Sequence, residues 1–314
     1  MVSEKLSAKY PVVIETNDAS ILNMGDKIAA LVFCGEGEKI SSKTAVWAAN
    51  ALKEIENEYN GLVVYGNEEN LCSGNVIDLN DDSIACSKNY QSLTSTIKHY
   101  SKPVVTLLKG MCFGIGYEAA LNSHAVLTCP SVSKFGYDLS QGLSPMGGGL
   151  TSQIIETYAK GDNVPGHDIV PFLKVLLNNV YGPKKFESIY EAKAKGFLPS
   201  NATIIKVDED IIEKGKQKAL NMFNEGFEKV KEKSVVVTGT TGTAAMDITI
   251  INSYEGLFLP PALYNVALKT SYIIGGGNVP KKTLVSEQQL LNLESQAFSE
   301  IVEQKRSEVA KWEK

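Results

Sequence analysis

Four short apolar runs set the frame for this chain: IAALVF at 28–33, GLVVY at 61–65, PVVTLL at 103–108 and AVLTC at 125–129. Runs of this length, rich in β-branched residues and bounded by polar or glycine-bearing turns, predict buried strands. The stretch SSKTAVWAANALKEIE lies between the first two and places Ala45, Ala48, Leu52 and Ile55 on one helical face. The turn GNEEN closes the second run, a helix is predicted over 83–99, and a small-residue helix over 115–123. Strands alternating with helices at this spacing predict an α/β fold with a mainly parallel sheet.

Beyond Gly149 the pattern changes. Most of 150–230 reads as helical, including IIEKGKQKALNMFNEGF. TGTTGTAA at 238–245 reads as a connector, because it lacks both the G-x-G-x-x-G and the P-loop lysine of a phosphate loop. Two further helices are predicted, one over 261–274 and one starting at Ser286, where Ser286 and Gln289 form a capping box. The expected organisation is a core over 1–163, carrying the functional site, and a helical region over 164–314 making subunit contacts.

With 43% hydrophobic and 21% charged residues, the chain has enough apolar surface for a sizeable core. A net charge of −5 provides no footprint for nucleic acid or an anionic membrane. No apolar run approaches bilayer length, and MVSEKLSAKYPVVIE has no signal-peptide core, so a cytoplasmic location is expected. The five cysteines, at 34, 72, 86, 112 and 129, are odd in number and lack C-x-x-C spacing, as suits reduced thiols. His99, His124 and His167 show no metal-ligand spacing, so no metal is expected. His124 reads as packing at a helix end, and Ser73 and Ser144 have no histidine partner for nucleophilic chemistry.

The chemistry concentrates in KGMCFGIGYEAALN at 109–122. A helix opening after Gly114 leaves N–H groups without intrahelical partners. Ile115 and Glu118 share a helical face, and helical side chains lean toward the N-terminus, so the Glu118 carboxylate tilts back over the open turn. An N–H that can hold an oxyanion, beside an acid that can move a proton, suits enolate formation next to a carbonyl. Two more glycine-bearing turns follow strands, Ser73-Gly74-Asn75 and the stretch after Gly136, and all three are expected to face one crevice.

LCSGNVIDL resembles the F-C-A-G-x-D-L motif of the crotonase family, the enoyl-CoA hydratases and isomerases. SKPVVTLLKGMCFGIGYE is similar to that family's K-P-V-I-A-A-V-x-G-x-x-x-G-G-G-x-E, and KFGYDLSQGLSPMGGGLT to K-F-G-x-P-E…G-I-x-P-G-G-G-x-T. Stretches such as EAKAKGFLPSNATI and GGGNVPKKTLVSEQQLLNLESQAF resemble the hydratase-like C-terminal half of bacterial bifunctional 3-hydroxyacyl-CoA dehydrogenases. The resemblance implies a ββα spiral core with a C-terminal helical extension, and an acyl-CoA enzyme of the hydratase/isomerase type in fatty-acid oxidation. Carried over residue by residue, it makes Asn75 and Ile115 the backbone donors of an oxyanion hole and Glu118 the catalytic acid. Gly74, Val76, Ile77, Asp78 and Gly114 would line the substrate.

Val76 stands where the family has aspartate, Ile115 replaces a glycine, and Leu139 occupies the position of the second glutamate. Asp138 is then the candidate second acid. No cofactor is implied beyond the coenzyme A of the substrate. A homo-oligomer and a 3-hydroxyacyl-CoA dehydrogenase partner are the implied associations. The rival expectation is a non-catalytic acyl-CoA-binding or assembly subunit.

Overall fold

The computed structural model describes residues 4–66, 70–132, 134–162, 168–182, 185–206 and 210–312. The centre of the turn expected at 66–70, His167 and the boundary expected between 163 and 164 lie outside the described residues. The chain begins α1 (Glu4–Lys9), β1 (Val12–Glu15), β2 (Ala19–Asn23), β3 (Ile28–Phe33), β4 (Lys39–Ser41), α2 (Ser42–Ile55) and β5 (Gly61–Gly66). Next come β6 (Gly74–Val76), α3 (Ser83–Lys98), β7 (Val104–Leu108), β8 (Met111–Phe113), α4 (Ile115–Leu121), β9 (Ala125–Thr128) and β10 (Lys134–Gly136). After these follow α5 (Gly149–Asp162), α6 (Val170–Tyr181), α7 (Ile189–Ala194), β11 (Ala202–Ile204) and α8 (Ile211–Asn224). The chain closes with β12 (Ser234–Val236), α9 (Gly239–Glu255), α10 (Pro261–Ile274), β13 (Leu284–Ser286) and α11 (Glu287–Trp312).

These elements form two compact units interleaved along the sequence. The first comprises Met1–Ile77, Ser92–Gly136 and Lys184–Lys231; the second comprises Asp78–Gln91, Tyr137–Pro183 and Glu232–Lys314.

The first unit is built on a seven-stranded sheet in the order β1-β2-β3-β5-β7-β9-β11. From β3 onward neighbouring strands are parallel, as the strand–helix alternation predicts, while β1 and β2 join antiparallel. The register aligns Leu22, Ala30, Val63, Val105 and Ala125 in one row across the sheet. Side chains alternate faces along a strand, so this row shares its face with Val32, Tyr65, Leu107 and Leu127, and all pack into one buried core. Each such large aliphatic side chain, fully buried, contributes roughly 1.5–3 kcal/mol.

Helix α8 covers that face with Ala219, Ile211, Ile212, Leu220 and Met222. It comes in close because Gly215 has no side chain: a Cβ there would stand 2.7 Å from Leu107 Cδ2. Asp210 starts the helix by accepting the N–H groups of Ile212 and Glu213. Most of 150–230 is helical, as expected, and residues 202–204 are an exception within it. They form β11, parallel to β9. Three residues are too few to show a period, so only the pairing partner reveals the strand.

The second unit joins five helices, α5, α6, α9, α10 and α11, to the β12–β13 hairpin. The capping box is formed as expected: Gln289 N donates to Ser286 Oγ, and Ser286 N donates to Gln289 Oε1 at 2.8 Å. The connector expected at 238–245 is instead the first turns of α9. Glycine and threonine are poor helix formers, but here packing overrides propensity. Helix α9 lies against α6 and α10, and Gly242 and Gly275 sit where a Cβ would strike Thr238 and Thr243. Tyr158 adds a polar junction, its hydroxyl meeting Thr238 Oγ1 at 2.9 Å and donating to Ile274 O at 3.0 Å.

Candidate functional site

Strand β8 pairs in parallel with β10, bringing Cys112 opposite Phe135, and Cys72 bridges to Cys112 from the other side. The chain then turns at Gly114, whose φ of 57° and ψ of −129° exclude a residue with a side chain. A Cβ at Gly114 would also lie 2.5 Å from Asn75 Oδ1. The Gly114 N–H is taken by Gly136 O at 3.1 Å, and Glu118 N closes the first turn of α4 onto Gly114 O at 2.9 Å. Ile115 and Glu118 are both buried, the Glu118 carboxylate within a residue only 1% exposed. Tyr117, on the same helix, donates to Phe197 O at 2.6 Å and stacks toward Phe135, which fixes α4 from behind.

The second turn is held by a polar frame that sequence reading did not find. Asn70 accepts the Met111 N–H at 2.6 Å and donates to the Glu38 carboxylate. Ser73 N donates to Glu38 O at 2.8 Å, and the Cys72 thiol donates to Gly74 O at 3.1 Å. Strand β6 then pairs with β4, Asn75 opposite Ile40. Burial pushes the Cys112 thiol well above its ordinary range, with Cys72 adding to the effect, so the Cys112 sulfur lacks the environment of a nucleophile.

The two turns meet through one contact. Ile115 N donates to the side-chain oxygen of Asn75 at 2.8 Å. The backbone donor expected to hold a substrate oxygen is therefore occupied by a side-chain carbonyl of the neighbouring turn. The signal was present in the sequence: an amide side chain directly after the turn glycine is equipped to accept a nearby N–H.

The first unit thus gathers Gly74, Asn75, Val76, Gly114, Ile115 and Glu118, with Ile77 as the last residue of its first segment. Val76 is half exposed, and Gly74 is buried. Asp78 and Asp138 belong to the second unit. Asp138 is partly exposed, and its Oδ1 accepts from Ser140 N at 3.1 Å and Ser140 Oγ at 2.6 Å. Asp78 is exposed and caps Asn80 N at 2.8 Å. In the third glycine turn, Gly148 N and Thr151 N both donate to the buried Glu294 carboxylate, so these donors serve the fold of the second unit.

Among the described residues no group of three His, Cys, Asp or Glu side chains is placed to hold a metal ion. Among the same residues no helix is long and apolar enough to cross a membrane.

No protein-family profile matches the chain. A Bacillus subtilis (strain 168) protein described as a probable 3-hydroxyacyl-CoA dehydrogenase is 26% identical over 296 residues, covering 91% of this chain. The chain spans 37% of the length of that relative. Among solved structures, an enoyl-CoA hydratase from Mycobacterium avium subsp. paratuberculosis K-10 superposes with a TM-score of 0.52 at 16% identity, covering 83% of this chain and 95% of that one. An enoyl-CoA hydratase from Bacillus anthracis gives 0.50 at 14% identity, covering 85% and 90%. At these identities the likeness is one of fold, and it agrees with the motifs at 71–79, 101–118 and 134–151. The chain has the crotonase fold, that of the enoyl-CoA hydratases and isomerases.

Proposed function

We propose that this chain is an acyl-CoA enzyme of the enoyl-CoA hydratase/isomerase type, moving a proton beside a thioester carbonyl. The observation that carries the reading is the buried first turn of α4, which sets the Ile115 N–H and the Glu118 carboxylate one helical turn apart. In the proposed site the Asn75 and Ile115 N–H groups hold the thioester oxygen as it gains negative charge. Residues 74–78 run along the coenzyme A moiety. Glu118 takes a proton from the carbon next to the thioester, the electron pair moves into the carbonyl, and the proton returns further along the chain as the double bond shifts. One carboxylate suffices for that isomerisation. Hydration is usually managed with two, and Asp138 is the candidate for the second.

The partial match to a longer dehydrogenase supports association with a 3-hydroxyacyl-CoA dehydrogenase; homo-oligomerisation and a cytoplasmic setting complete the proposal. A second reading, an acyl-CoA-binding or assembly subunit without turnover, is favoured by the Asn75 oxygen on the Ile115 N–H.

The test is a panel of 2-enoyl- and 3-enoyl-CoAs with wild type and Glu118→Gln, followed through the absorbance of the conjugated thioester. Turnover that disappears in Glu118→Gln supports the enzyme. Binding without turnover by the wild-type protein supports the second reading.

A further inference from the structure

We propose that the Asn75 side chain is an internal stand-in for the substrate carbonyl, so that acyl-CoA engages the Ile115 N–H only by displacing it. This inference rests on the acyl-CoA reading above and adds a specificity-determining residue to it. Asn75 enters the family comparison only through its backbone N–H. Its side chain does something different: Oδ1 accepts from Ile115 N at 2.8 Å, in a residue 6% exposed.

An amide carbonyl and a thioester carbonyl are acceptors of the same kind, and the Ile115 N–H offers a single proton. Both oxygens cannot take it in good geometry. The side chain is also packed over the turn: its Oδ1, Cγ and Nδ2 all lie within 2.5–2.7 Å of where a Cβ on Gly114 would stand. A thioester oxygen reaching Ile115 therefore meets the amide group itself.

The consequence is a selective penalty. A ligand that needs the Ile115 N–H must break the internal hydrogen bond before making its own. A ligand that binds through coenzyme A alone need not.

Calorimetric titration of the full chain with butyryl-CoA and with S-butyl-CoA, a thioether without the carbonyl, separates these contributions. In Asn75→Ala, butyryl-CoA is expected to bind about three- to tenfold more tightly, the range of one exchanged hydrogen bond. The ratio of thioester to thioether affinity is expected to rise by a similar factor. Asn75→Asp keeps the acceptor and its size but adds charge, so it should hold the N–H more firmly. There the ratio of thioester to thioether affinity should fall, and this arm decides the question if Asn75→Ala does not fold. An unchanged or reduced ratio in a folded Asn75→Ala, or a raised one in Asn75→Asp, overturns the stand-in while leaving the acyl-CoA reading intact. Failure of the wild type and both variants to bind either ligand overturns that reading, and the inference with it.

Discussion

Gly116 faces Cys72 so closely that a Cβ on the glycine would lie 2.4 Å from Cys72 Cβ. The segment bearing Asn75 and the helix bearing Ile115 and Glu118 thus meet where a bare glycine faces the Cys72 side chain, a contact proposed to set the spacing of the two donors. Gly116→Ala is expected to push them apart. Overpacking of this kind costs about 1–3 kcal/mol, visible as a lower melting temperature. Turnover should fall further, since donor geometry is lost as well as stability. Cys72→Ala would not relieve a clash between β-carbons, whereas Cys72→Gly in the same chain should restore part of the activity. A double variant no better than Gly116→Ala alone would show that this contact does not position the site.

Glu118 and Asp138 are separable by their surroundings. Glu118 is enclosed in the first unit, while Asp138 is partly exposed and engaged by Ser140. Glu118→Gln keeps size and hydrogen bonding but cannot transfer the proton, and a loss of about 10²–10⁴-fold in kcat is expected. Asp138→Asn should leave isomerisation near the wild-type rate and reduce hydration, if the protein hydrates. Isomerisation lost equally in both variants would rule out the single-acid chemistry.

The strands at 28–33, 61–66, 104–108 and 125–128 were legible because fully buried parallel strands write themselves as unbroken apolar runs. Helix α10 was legible at about its observed bounds, since Gly275 to Gly277 end it. Strand β11 was not, because its identity lies in its pairing with β9. The start of α9 misled for a related reason: its glycines and threonines read as a loop until the helices packed on them are known. In the candidate site, both glycine turns and the short helix bearing Glu118 were legible. The Asn75–Ile115 hydrogen bond joins residues forty positions apart: the amide after the turn glycine marks an available acceptor, but no local pattern names the N–H it takes.

Glu294 is a buried acid with a structural explanation. It lies on α11, is fully buried, and accepts from Gly148 N, Thr151 N and Thr151 Oγ1 at the start of α5. Glu294→Ala would leave these donors buried without that acceptor, each such loss costing about 1–3 kcal/mol. Chemical denaturation should therefore show a marked loss of stability, and Glu294→Gln, which retains one acceptor oxygen, a smaller one. Equal stability of Glu294→Ala and wild type would mean water replaces the carboxylate without cost.

His124 makes stability depend on pH. Its Nδ1 accepts the Val104 N–H at 2.9 Å, so the ring proton sits on Nε2, facing Lys98 O at 2.9 Å. The ring packs on Phe227, with centroids 4.6 Å apart. Burial lowers its pKa from the ordinary 6.5; the Lys98 carbonyl opposes this, and His99 adds to the lowering. The folded state thus binds the proton more weakly than the unfolded chain. The stabilising contribution is present in full above about pH 6.5 and declines as pH falls from there toward the lowered folded-state pKa, with a slope of at most ~1.4 kcal/mol per pH unit. His124→Gln should be less stable at pH 7.5, because the Val104 N–H loses its designed acceptor, and should decline less steeply between pH 7 and 5 than wild type. Urea titrations of both proteins across that range measure the difference in slope, from which the contributions of the other histidines cancel. Parallel slopes would show that His124 takes up its proton equally well in the folded and unfolded chain, and that its place between β7 and the end of α3 is indifferent to charge.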